Sequence, residues 1–108
     1  MTSRYNFIEY LPDQLPEIPE DSIVSRTVSE DDQVKVILFG FAAGQELSEH
    51  TASMPAQLYF VSGEAALTLG EDEFSAQSGT WVQMEPRLPH SIEAKTPLVM
   101  LLVLLKTG

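Results

Sequence analysis

The chain has two histidines, His50 and His90, and their side chains offer its most versatile chemistry. Neutral imidazole ligates first-row divalent ions, takes and gives protons near neutral pH, and forms hydrogen bonds. Each histidine stands downstream of a glycine: Gly44 is six positions before His50, and Gly79 is eleven before His90. On a strand, side chains two apart share a face, so a metal site at His50 would be expected to carry its next ligand at position 52. That residue is Ala52. Other catalytic apparatus is missing from the sequence. There is no cysteine, which excludes disulfides, zinc–thiolate sites and thiol nucleophiles. No Gly-x-Ser-x-Gly elbow, phosphate-cradling glycine loop or His-Glu-x-x-His occurs. The acidic groups Glu17/Glu20/Asp21, Glu30-Asp31-Asp32 and Glu71-Asp72-Glu73 lack the alternating spacing of a calcium loop and read as solvated turns.

The elements that must hold the two rings read as strands. "SIVSRTVS" (22–29) is rich in β-branched residues, and "QVKVILFGF" (33–41) alternates Val34, Val36 and Leu38 with Lys35, Ile37 and Phe39. "QLYFVSG" (57–63) and "EAALTL" (64–69) flank Ser62-Gly63, and "LGEDEF" (69–74) predicts a tight hairpin with glycine at its bend. "TWVQME" (80–85), "HSIEA" (90–94) and "LVMLLVLLK" (98–106) complete the series. No stretch holds a helical period for three turns, so the expectation is an all-β sandwich or barrel. Residues 1–21 are expected to form an extended arm, because "YLPDQLPEIPE" carries three prolines. Residues 22–108 are then one domain, large enough to bury a core of its own.

Strand parity nominates the rest of the site. If His50 and Ala52 face inward, so do Ala56, Leu58 and Phe60 on one strand, and His90, Ile92 and Ala94 on another. The pocket so drawn is small and mostly apolar, with two imidazoles at one end. Glu49 and Gln57 carry oxygen donors but fall on the opposite parity, and Met54 suits only soft ions. A bulge at Pro55 would turn Gln57 inward. The candidate ligand-binding residues are therefore His50, Gln57, Leu58, Phe60, His90 and Ile92, with His50 and His90 as metal ligands. Tyr59, Trp81 and Met84 are wall or interface candidates.

Two stretches resemble the motifs of the cupin family, whose fold is a double-stranded β-helix, or jelly-roll barrel. That family's first motif is Gly, five residues, His-x-His, three or four residues, Glu, six residues, Gly. "GQELSEHTASMPAQLYFVSG" matches it at Gly44, His50 and Gly63. The second motif is Gly, five residues, Pro-x-Gly, two residues, His. "GTWVQMEPRLPH" keeps its span from Gly79 to His90, with the proline displaced to Pro86 and Arg87 in place of the inner glycine. The resemblance covers roughly residues 33 to 105. It implies a metal held by His, His, Glu and His. This chain has His50 and His90 at the outer two positions, Ala52 at the second, and Ala56 or Gln57 at the glutamate. Two imidazoles plus water would hold Fe, Mn, Ni or Zn as a weak, exchangeable ion.

The formal charge of −10 argues against nucleic acid and anionic membranes as partners. "MTSRYNFIEYLP" lacks the features of a signal peptide, and the longest apolar run, Leu98 to Leu105, is far short of the roughly twenty residues of a membrane helix. A soluble, cytoplasmic protein is expected. That final run is apolar on both faces, so its outward face needs a cover. A second subunit in a homodimer would supply one, or the arm residues Tyr5, Phe7, Ile8, Tyr10 and Leu11 folded back. Two functions follow. One is a binding module for a small uncharged or anionic molecule near His50 and His90. The alternative is a metal-dependent cupin enzyme, dioxygenase or isomerase-like. Metal-free acid–base catalysis of the kind found in sugar epimerase cupins would need a partner in the cavity, and Tyr59 has the wrong parity for that.

Overall fold

The computed structural model describes residues 4–106. Its strands are β1 (Ile23–Glu30), β2 (Val34–Phe41), β3 (Glu46–His50), β4 (Ala56–Ser62), β5 (Ala65–Leu69), β6 (Asp72–Ala76), β7 (Trp81–Met84), β8 (His90–Ala94) and β9 (Leu98–Leu105). They form two antiparallel sheets, a five-stranded one in the order β1-β2-β9-β4-β7 and a four-stranded one in the order β3-β8-β5-β6. The chain crosses from sheet to sheet between β2 and β3, β3 and β4, β4 and β5, β6 and β7, β7 and β8, and β8 and β9, which is a jelly roll.

Local chemistry sets the turns. Asp31 folds the β1–β2 connection by accepting the backbone N–H of Gln33 at 2.7 Å and of Val34 at 2.9 Å. Those two bonds hold its carboxyl below the usual aspartate range. Gly70 turns the β5–β6 hairpin with φ +63, the glycine bend expected from "LGEDEF". At Gly63 the chain runs so close to Pro97 that a side chain has no room: a Cβ there would lie 2.2 Å from the Pro97 carbonyl oxygen.

Pairing register shows which side chains face between the sheets. On β9 these are Leu98, Met100, Leu102 and Leu104, paired with Phe41, Phe39, Ile37 and Lys35 on β2, while Met100, Leu102 and Leu104 meet Phe60, Leu58 and Ala56 on β4. The inward row is not uniformly packed. Leu98 and Met100 are buried, and Leu102 and Leu104 only half-buried. The barrel is thus close-packed at the end of Phe41, Ala94 and Leu98, and looser at the end of Ile37, Leu69 and Leu104.

The outward faces differ sharply. The four-stranded sheet turns Glu46, Glu73, Glu93, Thr68, Ser75 and Ser91 to water, as a solvated face should. The five-stranded sheet turns out Val99, Leu101, Val103 and Leu105 on β9, Gln57 and Tyr59 on β4, and Trp81 and Gln83 on β7, with no charge among them. The arm covers part of this sheet, over β2. Leu15 and Ile18 pack against Gly40, where an added Cβ would meet Ile18 at 2.7 Å. The arm's aromatic residues do otherwise: Tyr5, Phe7 and Tyr10 stay exposed. The arm is also not extended throughout, since Leu11–Gln14 form a 3-10 turn with proline at its start.

Candidate functional site at the open end of the barrel

β3 and β8 bring the two histidines together. His50 and His90 are direct cross-strand partners, their ring centroids 4.1 Å apart and the rings tilted by 59°. An irregularity in β3 makes this possible. Leu47 pairs with Ile92 and His50 with His90, so three steps on β3 match two on β8. Without the extra residue at Ser48-Glu49, alternation would send His50 to the face opposite Leu47. With it, both imidazoles share the inward face of Ile92.

Each ring is anchored in the same way. The Nδ1 of His50 lies 2.8 Å from the carbonyl oxygen of Ser48, and the Nδ1 of His90 2.8 Å from that of Leu88. A carbonyl only accepts, so each Nδ1 carries the proton and donates, and each Nε2 of the neutral ring carries a lone pair. Among the described residues no fully buried side-chain nitrogen or oxygen lacks a partner. His90 is only 6% exposed and, among the described residues, its side chain bonds only through Nδ1, so its Nε2 faces space that water reaches. The result is two hydrogen-bond acceptors, oriented from behind, at the loosely packed end of the core.

Burial lowers the pKa of His90; the Leu88 carbonyl opposes this in part, and the His50 charge adds to it. A histidine whose folded pKa lies below the unfolded value of about 6.5 contributes stability that is intact above that pH and is lost as the pH falls through it. Denaturant unfolding of the wild type and of His90→Gln at pH 7.5 and 5.5 measures this. The wild type should lose stability relative to the variant on acidification, and a constant difference would show that His90 titrates normally.

Two imidazoles do not make a complete metal site. Catalytic zinc sites keep three protein ligands, and structural ones four. Among the described residues no group of three or more His, Asp or Glu side chains is placed to hold an ion. Ala52, in the second ligand position, has no donor atom in its side chain, and its carbonyl is engaged at 2.7 Å by the N–H of Arg87. The donor set therefore does not fit a firmly held resident ion.

The other nominated residues fall into two groups. Leu58, Phe60 and Ile92 face inward but are 0–1% exposed, a floor of packed core beneath the imidazoles. Gln57 points away. β4 pairs without interruption from Ala56 to Tyr59, with Ala56 and Leu58 buried inward, so Gln57 lies on the outer face beside Gln83 and Val103. The bulge expected at Pro55 is absent there, and the register shift of β4 against β9 falls instead between Phe60 and Ser62. Met84 is buried on the inward side, and Tyr59 and Trp81 stand outside, exposed. The half-buried inward residues Ile37, Leu69, Leu102 and Leu104 at the open end were not nominated from the sequence. Their signal lay in strand pairing, which one sequence does not display.

No protein-family model matches the chain, and no curated protein matches it. Solved structures do. A cupin superfamily protein from Desulfitobacterium hafniense superposes with a TM-score of 0.79 at 24% identity, over 84% of each chain. A cupin 2 conserved barrel domain protein from Leptotrichia buccalis gives 0.78 at 26% identity, over 87% of this chain and 46% of that one. This chain has the cupin fold. A conserved protein of unknown function from Streptococcus pyogenes aligns over 98% of this chain and 92% of its own, at 24% identity and a TM-score of 0.84. In this cupin barrel the motif glycines sit where backbone demands them: Gly44, Gly63 and Gly79 have φ of +85, +94 and +96. Arg87, in place of the second motif's inner glycine, keeps the left-handed conformation at φ +68. The turn survives the substitution at a backbone cost of about 1 kcal/mol.

Proposed function

We propose that this cupin barrel is a binding module for a small molecule bearing hydrogen-bond donors, held at the open end of the barrel over His50 and His90. The reading is supported above all by the matched anchoring of the two rings, each Nδ1 fixed on a carbonyl 2.8 Å away. That anchoring leaves two Nε2 lone pairs as acceptors, which suit hydroxyl, amide or amine hydrogens. Half-buried Leu69, Leu102 and Leu104 supply apolar walls. Divalent ions bind the same pair weakly and exchangeably, because two ligands are too few for more. The absence of cysteine suits a reducing cytoplasm.

Metal analysis of protein purified without an affinity tag tests this, before and after addition of Mn²⁺, Fe²⁺, Ni²⁺ and Zn²⁺. The binding-module reading expects far less than one retained ion per chain. One tightly retained ion, lost in His50→Ala and in His90→Ala, would favour the metal-dependent enzyme instead.

The same reading includes a homodimer. A chain of charge −10 approaches a copy of itself only through a face free of charge, and the outward rows of β9, β4 and β7 are such a face. Leu101 lies on it, between Leu38 of β2 and Tyr59 of β4. Light scattering of the wild type should give twice the chain mass, and Leu101→Glu the mass of one chain. A wild type already monomeric at high protein concentration removes the dimer.

A further inference from the structure

We infer that the cleft between the free edges of β6 and β7 is a second binding site, for a neutral molecule carrying one ring. The inference rests on the fold and not on the reading of the imidazole pair. β6 ends the four-stranded sheet and β7 ends the five-stranded one. The turn that joins them is fastened to β4: Gly79 N–H donates to the Phe60 carbonyl at 2.8 Å, and Ser78 Oγ to that of Val61 at 2.9 Å. Beyond that turn the two edges part and leave a cleft of about 340 Å³. Its floor is Leu67, Leu69 and Val82, and its rim carries Phe74 and Trp81.

Phe74 is the decisive residue. It pairs with Leu67, which is 2% exposed, and so points toward the space between the sheets. Yet Phe74 is 52% exposed, because no strand lies over it. Trp81 borders the cleft from the outward row of β7 and is 56% exposed. An inward-facing aromatic left half in water is a core position without its filler. The volume lies at the lower end of the roughly 300–1,000 Å³ typical of small-molecule pockets, room for one ring with a short substituent.

Charge selects among such molecules. The cleft is lined by Leu67, Leu69, Phe74, Ser75, Thr80, Trp81, Val82 and Gln83, none ionisable. Elsewhere the chain is strongly acidic, and Glu71, Asp72 and Glu73 flank the cleft on the β5–β6 hairpin. A carboxylate would enter against that field with no cation in the lining to receive it. A neutral ring packs on Phe74 over Leu67, Leu69 and Val82, and Thr80 in the lining offers a hydroxyl to a single polar substituent.

Trp81 is the chain's one tryptophan, so its emission reports on the cleft directly. Benzyl alcohol and benzoate are the probes, matched in ring and opposite in charge state. Benzyl alcohol should change Trp81 emission saturably, with benzoate at least ten times weaker. Phe74→Ala should weaken benzyl alcohol at least five-fold, while His50→Ala leaves it unchanged. Backbone amide shifts in the wild type provide a reading that needs no variant, and should localise to residues 67–69, 74–75 and 80–83. Equal response to both probes, no effect of Phe74→Ala, or shifts centred on His50 would overturn the proposal.

Discussion

Gly63→Ala is expected to destabilise the protein by about 4 kcal/mol or more, enough to leave little folded chain in a small domain of ordinary stability. Two costs add. Gly63 has φ +94, a conformation that costs an L side chain about 1–2 kcal/mol. The new Cβ would also lie 2.2 Å from the Pro97 carbonyl oxygen and 2.9 Å from Leu98 Cα, both backbone atoms that cannot swing aside. Leu98 is a fully buried anchor of β9, so relief by backbone movement would disturb the close-packed end of the core. Gly44→Ala is the matched control. Its φ is +85, but nothing lies within 4 Å of the added Cβ, so only the conformational cost of about 1–2 kcal/mol applies. Denaturant unfolding of both variants measures the difference, and equal losses would show that β4–β5 is not pressed against the start of β9.

His90→Ala is expected to remove ion and ligand binding and to reduce stability, whereas His50→Ala should remove binding at little cost to the fold. The difference is burial. His90 is 6% exposed and satisfies the Leu88 carbonyl, so truncation leaves a small void and an unpaired acceptor, worth about 1–3 kcal/mol. His50 is half-buried and its carbonyl partner sits near water. Binding should not follow burial. Loss of a group that only hydrogen-bonds to a metal ligand weakens metal sites about 10–100-fold, so loss of either direct ligand should raise the half-saturation for Ni²⁺ or Zn²⁺ at least that much. The double variant should bind no worse than the weaker single one, because the rings act as a unit. Calorimetric titration of the three variants reads this, and additive losses would mean that each histidine binds an ion separately.

Much of this architecture is legible in single residues. Gly63, Gly70 and Gly79 mark turns by their chemistry alone, and all three adopt positive φ. Leu98–Leu105, apolar on both faces, becomes the middle strand of the five-stranded sheet, where β2 and β4 pair on either side. His50 and His90 are brought together across 40 positions of sequence. What stayed hidden depends on irregularity and on the third dimension. The extra residue at Ser48-Glu49 has no glycine or proline to announce it, yet it determines which way His50 faces. Pro55 suggested a bulge that would turn Gln57 inward, but Pro55 lies just outside β4, and the strand pairs without interruption from Ala56 to Tyr59. The arm, the alternative to a second subunit as cover for the last strand, leaves Tyr5, Phe7 and Tyr10 exposed. Leu15 and Ile18 pack instead on Gly40 of β2, where the missing side chain leaves room for them. The loosening of the core toward Leu102 and Leu104 has no counterpart in composition, since the residues there are as apolar as those at the packed end.

The juxtaposition of the two imidazoles carries the account, and proton–proton Overhauser contacts between the rings measure it directly in protein with no metal added. The chain has only two histidines, so their ring signals are readily assigned. Ring centroids 4.1 Å apart predict strong cross-peaks between ring protons of His50 and His90, with ¹⁵N shifts showing the proton on Nδ1 of each at pH 7.5. Absence of any contact between the rings, or independent contacts from each to unrelated strands, would contradict it.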